Sequence, residues 1–308
     1  KHPMLRTSFQ ALDTEEPLQF VHRQMDIDCS FTDISTELID DQVVKIVDFL
    51  RNDLNVSFKL NQPGLWRFKI FRLNEDHFFM IFIFHHAILD GWSDAIFNIE
   101  LNNTYLKLKS GEQVDVMPLN ASYREFIVEQ KVALESKEFE NYWKKELEKY
   151  KRFRFLNTES DSRKEHLNYK LPEEVTLNLL NLSKRNSISL RSICFSAFLY
   201  TLSTFSYDDD ITVGIISHNR PEIEDGDKIL GCFLNTIPFS MQIPDEGSWS
   251  QFVNSVSTKL NSQRKFEILP FNKIANLVDT RNANENPITD IGFGFNEFHV
   301  YNDQLLID

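Results

Sequence analysis

The sequence predicts a mixed fold of helices and strands, α/β or α+β, arranged in two lobes. Segments with strand-like spacing alternate with helical segments in both halves of the chain, which is typical of layered architectures. At 308 residues the chain is long enough for two separate cores. Its 27 phenylalanines against 9 glycines indicate well-packed cores rather than disorder. The charged stretch 151–166 has few aliphatic residues, so we expect it to link lobes over 1–155 and 156–308.

The first half begins with a predicted helix and two predicted strands. Apolar residues recur at helical spacing over 43–54, after Asp40 and Asp41, which we expect to cap the helix and complement its dipole. Residues 66–70 alternate between apolar and polar, as in a half-buried strand. The run 78–84 is apolar and uncharged, which predicts a strand buried on both faces.

Two helices are expected after that strand. Ser93 and Asp94 are candidate caps of the first helix, and Gly111 is its expected end. The second is predicted as one long helix over 122–150.

The second half also mixes both kinds of element, without an internal repeat or a low-complexity tract. Its apolar spacing predicts helices over 173–186, 189–205 and 248–266 and extended segments over 211–216 and 230–243.

Composition argues against several kinds of partner and site, namely nucleic acid, membrane spans, disulfides and cysteine-based metal sites. A formal net charge of −13 argues against nucleic-acid binding, which needs a basic face. No apolar stretch reaches the length of a membrane span, and no signal peptide is visible. The three cysteines, Cys29, Cys194 and Cys232, are far apart, so they predict neither a disulfide framework nor a metal site. We expect Cys194 and Cys232 to be small buried residues of a reducing, cytoplasmic protein.

Residues 85–93, His-His-Ala-Ile-Leu-Asp-Gly-Trp-Ser, directly follow the apolar run. Ionisable groups are costly to bury without partners, and the ends of core strands often carry chemistry. A metal site is disfavoured because adjacent strand residues point to opposite faces and no other cluster supplies ligands. Ser93 as a hydrolase nucleophile is disfavoured because a G-x-S-x-G elbow is absent. Core histidines that merely end a strand are the plainest alternative.

The complete pattern His-His-x-x-x-Asp-Gly-Trp-Ser resembles the active-site signature of the condensation domains of nonribosomal peptide synthetases, within the chloramphenicol-acetyltransferase-like superfamily. The resemblance extends over nearly the whole chain, because further family segments recur in the family order. The start resembles Arg-His-x-x-Leu-Arg-Thr-x-Phe, and similar segments occupy 123–126, 219–221, 231–236, 270–271 and 286–287. The resemblance implies a two-lobed chloramphenicol-acetyltransferase-like fold.

The chain departs from the family pattern in three places. Lys1 replaces an arginine, which keeps the charge but loses the bidentate fork, so we expect a weaker ion pair. Glu-Ile-Leu at 267–269 replaces His-Gln-Asp, and Ser240 or Met241 stands where an arginine often closes the Asn-Thr segment. We expect these two changes to alter substrate or partner contacts. Compared with the family, we expect the chain to be a fragment that lacks both ends and has an incomplete second lobe. Whether such a fragment is active by itself does not follow from the sequence.

The resemblance implies attack of an aminoacyl amine on a thioester carbonyl. It makes His86 the catalytic residue, which takes the proton of the amine or accepts a hydrogen bond that aligns it. His85 is expected to point into the lobe as a structural residue. Asp90 needs a cation once buried, and Arg6 is our first choice. Gly91 is the second catalytic candidate, because its N–H can face a developing oxyanion.

Asn235 is the third catalytic candidate. Its amide would reach the substrate tunnel from the other lobe, and a local strand-edge turn is its alternative role. Arg220 is expected to be a structural residue at the end of a strand. The domain itself is expected to hold no cofactor and no metal, because both substrates hang from the 4'-phosphopantetheine arms of carrier domains. The implied partners are upstream and downstream peptidyl carrier domains and an adjacent adenylation domain.

Three other functions remain open. An epimerisation domain has the same fold and histidine motif, although the Gly-Trp-Ser ending favours condensation. A non-catalytic, condensation-like docking domain is disfavoured because the motif is complete. A stand-alone acyltransferase that uses a soluble thioester such as coenzyme A is disfavoured by the later motifs.

Overall fold

A computed structural model describes residues 1–10, 16–148, 150–153, 165–278 and 288–296. The first of two compact units includes Lys1–Phe126 and Arg220–Phe233, and the second includes Ile127–Asn219 and Leu234–Glu297. This division differs from the one we expected at residue 155. Arg220–Phe233 belongs to the first unit because its backbone is hydrogen-bonded around Asp90. Most of the expected linker, 154–164, and the motif segment 286–287 lie outside the described residues.

The first unit contains two small sheets. Strands β1 and β2 pair antiparallel, and a second sheet has the order β3-β4-β5, with β3 parallel and β5 antiparallel to β4. Its elements are a 3₁₀ turn at Pro3–Arg6, β1 (Thr7–Gln10), β2 (Leu18–Val21), β3 (Cys29–Asp33), α1 (Ile39–Asp53), β4 (Trp66–Arg72), β5 (Phe78–Phe84) and α2 (Gly91–Lys109). Its buried core consists of Met4, Leu65, Trp66, Ile88, Leu89 and Leu230.

The strand predicted over 78–84 is confirmed as β5, but its burial on both faces is wrong. Phe78 is 51% exposed, and Phe79 and Met80 are exposed as well. Within the described part of the chain, β5 is an edge strand that pairs with β4 alone. An uninterrupted apolar run therefore does not distinguish a central strand from an edge strand.

The helix boundaries of the structure agree only in part with those predicted from the sequence. Asp40 and Asp41 lie in the first turn of α1, where they complement the dipole, but Leu38 is the capping position and makes no side-chain cap. The long helix predicted over 122–150 is two helices, because Ser136 is extended between them. These are α3 (Tyr123–Glu135) and α4 (Lys137–Glu146).

The second unit packs helices around a sheet of order β7-β6-β8, with β7 antiparallel and β8 parallel to β6. The predicted helices and strands of this half are confirmed, which also confirms the mixed fold class. The elements are α5 (Glu173–Asn186), α6 (Leu190–Ser206), β6 (Asp210–His218), β7 (Leu234–Gln242), α7 (Trp249–Gln263), α8 (Phe271–Ala275) and β8 (Gly292–Phe293).

The core of the second unit forms where α6 and α7 bury their apolar residues with the sheet. Its most buried side chains include Trp143, Phe195, Leu199, Ile237 and Phe239. No single described helix is long and apolar enough to cross a membrane; only α5 and α6 taken together, bent by 113°, reach that length and composition.

Candidate active site around His86

The two adjacent histidines lie in the turn between β5 and α2 and have different surroundings. The His85 N–H donates to the Leu65 carbonyl at 2.8 Å, and its ring Nδ1 accepts from the Ala87 N–H at 3.1 Å. The His85 ring also lies edge-on to Phe58, with 6.3 Å between centroids. His85 is thereby built into the first unit, and these contacts hold the turn.

His86, in contrast, is exposed. Its Nδ1 lies 3.7 Å from the sulfur of Cys232, the one polar partner that the described residues give this ring. Nε2 of the same ring has no hydrogen-bond partner among the described residues. Cys232 itself is half-buried rather than fully buried as we expected.

Both carboxylate oxygens of Asp90 accept hydrogen bonds from other residues of the protein. It is the N-cap of α2, where its Oδ1 accepts from the Ser93 N–H at 2.7 Å. Oδ1 also accepts from Arg220 Nη2 at 3.0 Å, and Oδ2 accepts from the Phe233 N–H at 3.1 Å. The residue is 1% exposed, so the carboxylate joins three segments and does not reach a substrate.

The prediction that Arg6 pairs with Asp90 is wrong. The Arg6 guanidinium donates to the His22 carbonyl instead, because Arg6 ends a 3₁₀ turn beside the β1–β2 pair. Arg220 takes the place next to Asp90 and also donates to the Ile229 carbonyl at 2.6 Å. Burial lowers the pKa of the Arg220 guanidinium, and the neighbouring Asp90 opposes that effect. The resemblance of residues 219–221 to a family segment is the sequence signal for this position of Arg220.

Ser93 is neither the helix cap nor a nucleophile. Its hydroxyl donates to the Gly231 carbonyl at 2.7 Å and accepts from the Gly231 N–H at 3.0 Å and from Arg220 Nη2 at 2.6 Å. With 0% exposure and every hydrogen-bonding site occupied, it fixes the backbone of Gly231 to the start of α2.

The segment 231–233 completes the site. The Tyr123 hydroxyl donates to the Cys232 carbonyl at 2.6 Å. A Cβ on Gly231 would lie 2.2 Å from Cδ2 of Tyr123, so this position requires glycine. Burial raises the pKa of Tyr123, and the neighbouring Asp90 carboxylate adds to that effect, so its hydroxyl remains a donor at neutral pH.

Gly91 is the first residue of α2 and is exposed. The first amides of a helix have no acceptor within the helix, so its N–H points away from the helix body. Its contact with an oxyanion stays a prediction. Among the residues that the structure describes, no cluster of three or more His, Cys, Asp or Glu side chains could hold a metal.

Asn235 belongs to the second unit, on β7, and its side chain is hydrogen-bonded within that unit, while its catalytic role stays a prediction. Both N–H groups of its amide are used, because Nδ2 donates to the carbonyls of Glu267 at 2.7 Å and Leu269 at 2.8 Å. Its Oδ1 accepts from the Phe271 N–H at 3.2 Å. The side chain therefore ties the 267–271 segment to β7 and has no donor left for a substrate.

The structure shows the ion pairs and burial of two residues that depart from the family pattern, Lys1 and Glu267. Lys1 and His2 both contact Oε2 of Glu100 at 2.9 Å. Burial alone would raise the pKa of Glu100, but these two partners lower it to about 2. Glu267 is 5% exposed, and burial raises its pKa against the opposing charges of Arg191 and Arg264. The Lys1 replacement thus keeps an ion pair, and Glu267 is a buried carboxyl in the second unit.

Comparison with known proteins identifies relatives among peptide synthetases. Cyclosporin synthetase simA of Tolypocladium inflatum is 28% identical over 95% of this chain, and gramicidin S synthase 2 of Brevibacillus brevis is 25% identical over 90%. The chain spans 2% and 6% of these two relatives.

Solved structures show the same fold. A four-domain nonribosomal peptide synthetase, holo-AB3403, matches 98% of this chain and 23% of its own length, with a TM-score of 0.78 and 22% identity. The first condensation domain of the calcium-dependent antibiotic synthetase matches 95% of this chain and 68% of its own, with a TM-score of 0.71 and 16% identity. The epimerization domain of the third module of tyrocidine synthetase B matches 91% and 64%, with a TM-score of 0.72 and 16% identity.

A family model described as the condensation domain matches residues 1–305, which is nearly the entire chain. The match includes the histidine turn, the Asp90–Arg220 pair and the 231–236 segment. The chain belongs to the condensation-domain family.

Proposed function

We propose that the chain catalyses amide-bond formation between an acyl or peptidyl thioester donor and an aminoacyl acceptor. The amine attacks the thioester carbonyl, the thiol leaves, and the amine gives up a proton. His86 takes that proton or holds the amine in line for attack. Both substrates are carried on the 4'-phosphopantetheine arms of partner carrier domains, and the domain itself holds no cofactor.

The observation that carries this proposal is the state of the His86 ring. It is exposed, its Nδ1 lies against Cys232, and its Nε2 has no hydrogen-bond partner among the described residues. The nearby acid, Asp90, is committed to Arg220 and to backbone amides. His86 is thus the one residue of the motif with a free proton-accepting edge, and the remaining motif residues position it.

The proposal also includes partner domains and a cellular location. Upstream and downstream peptidyl carrier domains deliver the two substrates, and an adjacent adenylation domain loads a carrier. The relatives named above are synthetases many times longer than this chain, which is consistent with partner domains on the same polypeptide. Cys29, Cys194 and Cys232, all within the described residues, are thiols rather than disulfides, which supports a cytoplasmic location.

The test uses the full-length protein in which the chain occurs, with loaded donor and acceptor carriers. Carrier-bound products are followed by intact-protein mass spectrometry and chiral analysis after release. We expect the wild type to add the donor mass to the acceptor carrier, and His86→Ala to slow this step about 100-fold or more. His77→Ala, at an exposed turn histidine, is the matched control.

Four outcomes would overturn the proposal. Near-wild-type product from His86→Ala excludes His86 as the catalytic residue. An unchanged product mass with an inverted α-carbon assigns the chain to epimerisation. Tight binding of a partner domain without any product assigns a docking role, and equal use of a soluble coenzyme A thioester excludes carrier dependence.

A further inference from the structure

The contact between His86 and Cys232 goes beyond the motif that led to His86. We propose that Cys232 is a positioning residue for His86, which holds the Nδ1 edge of the ring so that Nε2 faces the substrate amine. This inference rests on the proposed function, in which His86 acts on the amine. The sulfur lies 3.7 Å from Nδ1, and the described residues offer this ring no other polar contact.

The thiol can orient a ring only if its own position is fixed. Three consecutive residues provide this, because the backbone of each is hydrogen-bonded. Gly231 exchanges two hydrogen bonds with the Ser93 hydroxyl, the Cys232 carbonyl accepts from Tyr123, and the Phe233 N–H donates to Asp90. The Cys232 Cα is therefore held at the start of α2, where the histidine turn also ends.

Asp90 connects the two partners. It follows His86 by four positions and caps α2, and its N–H donates to the Gly231 carbonyl at 3.0 Å. The same residue thus fixes the turn that carries the imidazole and the segment that carries the thiol. His85, by contrast, is held by Leu65 and Ala87 and needs no help from this segment.

The chemistry of the pair suits a base that acts through Nε2. A neutral imidazole has one N–H and one lone pair, and the hydrogen bond at one nitrogen selects the role of the other. When Nδ1–H donates to the Cys232 sulfur, the lone pair lies on Nε2, which has no partner among the described residues. A small side chain such as cysteine provides this weak acceptor without covering the ring.

The first test is kinetic and compares Cys232→Ala, Cys232→Val and Cys232→Ser in the full-length protein. A lost hydrogen bond of ordinary strength corresponds to about a fivefold loss of kcat for the alanine and valine variants, with KM unchanged. Serine, which keeps a hydrogen-bonding oxygen, should restore the rate to within about twofold. Cys194→Ala, at the half-buried cysteine on α6, is the matched control, and thermal unfolding verifies that each variant is folded.

The second test does not depend on amide formation. Iodoacetamide alkylation of Cys232 and Cys194 is followed by peptide mass spectrometry in the wild type, His86→Gln and His86→Leu. An N–H donor beside a thiol favours the reactive thiolate, so His86→Leu should slow alkylation at Cys232 about fivefold. Glutamine, which keeps an N–H, should recover part of the rate, and Cys194 should react equally in all three proteins.

The two tests separate the possible failures. Equal alkylation of Cys232 in all three proteins, or faster alkylation in His86→Leu, shows that the ring and the thiol are not coupled and overturns the inference. Unchanged kcat in folded Cys232→Ala overturns it as well. If the alkylation result holds while His86→Ala retains amide formation, the contact is real and the proposed function is the part that fails.

Discussion

Asp90 and Arg220 are 130 positions apart in the chain, yet Oδ1 of the carboxylate and Nη2 of the guanidinium lie 3.0 Å apart. Both side chains are almost fully buried, with exposures of 1% and 8%. Each also binds backbone: Asp90 accepts from Phe233, and Arg220 donates to Ile229. This ion pair holds 220–233 against the start of α2.

Removing the Asp90 carboxylate should therefore lower the stability of the fold and have a smaller direct effect on catalysis. Asp90→Ala leaves a buried guanidinium without its counter-charge, and we expect a loss of about 3–5 kcal/mol in the free energy of unfolding by urea titration. Asp76→Ala, at an exposed turn, should change it by less than about 0.5 kcal/mol. An Asp90→Ala protein that is as stable as the wild type but inactive would assign the carboxylate a chemical role.

Because Tyr123 packs closely on Gly231, adding a single methyl group at position 231 should lower the stability of the protein. Gly231→Ala places a Cβ 2.2 Å from the Tyr123 ring, and we expect a loss of about 1–3 kcal/mol in thermal or urea unfolding. Gly292→Ala is the matched control, because its Cβ would meet its nearest atom at an ordinary 3.8 Å. Adding Tyr123→Leu should recover part of the loss. Equal stability of the two alanine variants would show that the Tyr123 ring moves aside freely.

Replacing Asn235 tests whether this residue stabilises the fold, as its hydrogen bonds indicate, or takes part in catalysis, as the sequence motif implies. Asn235→Ala leaves two carbonyls and one N–H without their partner, so we expect a loss of about 2–4 kcal/mol in the free energy of unfolding. Asn254→Ala, on the exposed face of α7, should be nearly neutral. A variant that unfolds like the wild type but has a lower kcat would return Asn235 to the catalytic residues.

Elements with strong local signals could be predicted from the sequence. The helix predicted over 173–186 has those bounds in the structure, and Ser189 caps α6 through the Ser192 N–H. The expected interior position of His85 agrees with its hydrogen bonds to Leu65 and Ala87. For the two helices the deciding interactions lie within a few positions of one another.

Hydrogen-bond and ion-pair partners that are distant in the chain could not be predicted from the sequence. Arg6 was chosen for Asp90 because it occurs early in a family segment, but a carboxylate pairs with the cation that the fold brings near it, and Arg220 is that cation. Nothing in the segment around Asn235 reveals that its amide donates to the carbonyls of Glu267 and Leu269. Spacing along a chain does not encode which long-range acceptors a polar side chain will meet.

The buried carboxyl of Glu267 should make stability depend on pH. Burial raises its pKa above the ordinary value of 4.5, with Arg191 and Arg264 opposing the change, so the folded protein holds this proton more tightly than the unfolded chain. The resulting stabilisation is complete below the unfolded pKa and is lost as pH rises through the folded one. The free energy of unfolding should therefore fall between about pH 4.5 and the raised folded pKa, by about 1.4 kcal/mol per tenfold change in the ionisation constant.

Glu267→Gln keeps the shape of the side chain without the charge, so its stability should not fall over that range. We expect urea midpoints measured from about pH 4 to 8 to decline less in Glu267→Gln than in the wild type. Glu246→Gln, at an exposed position, should follow the wild-type curve. Parallel curves for all three proteins would mean that the Glu267 carboxyl ionises as easily when folded as when unfolded, because Arg191 and Arg264 then compensate its burial in full.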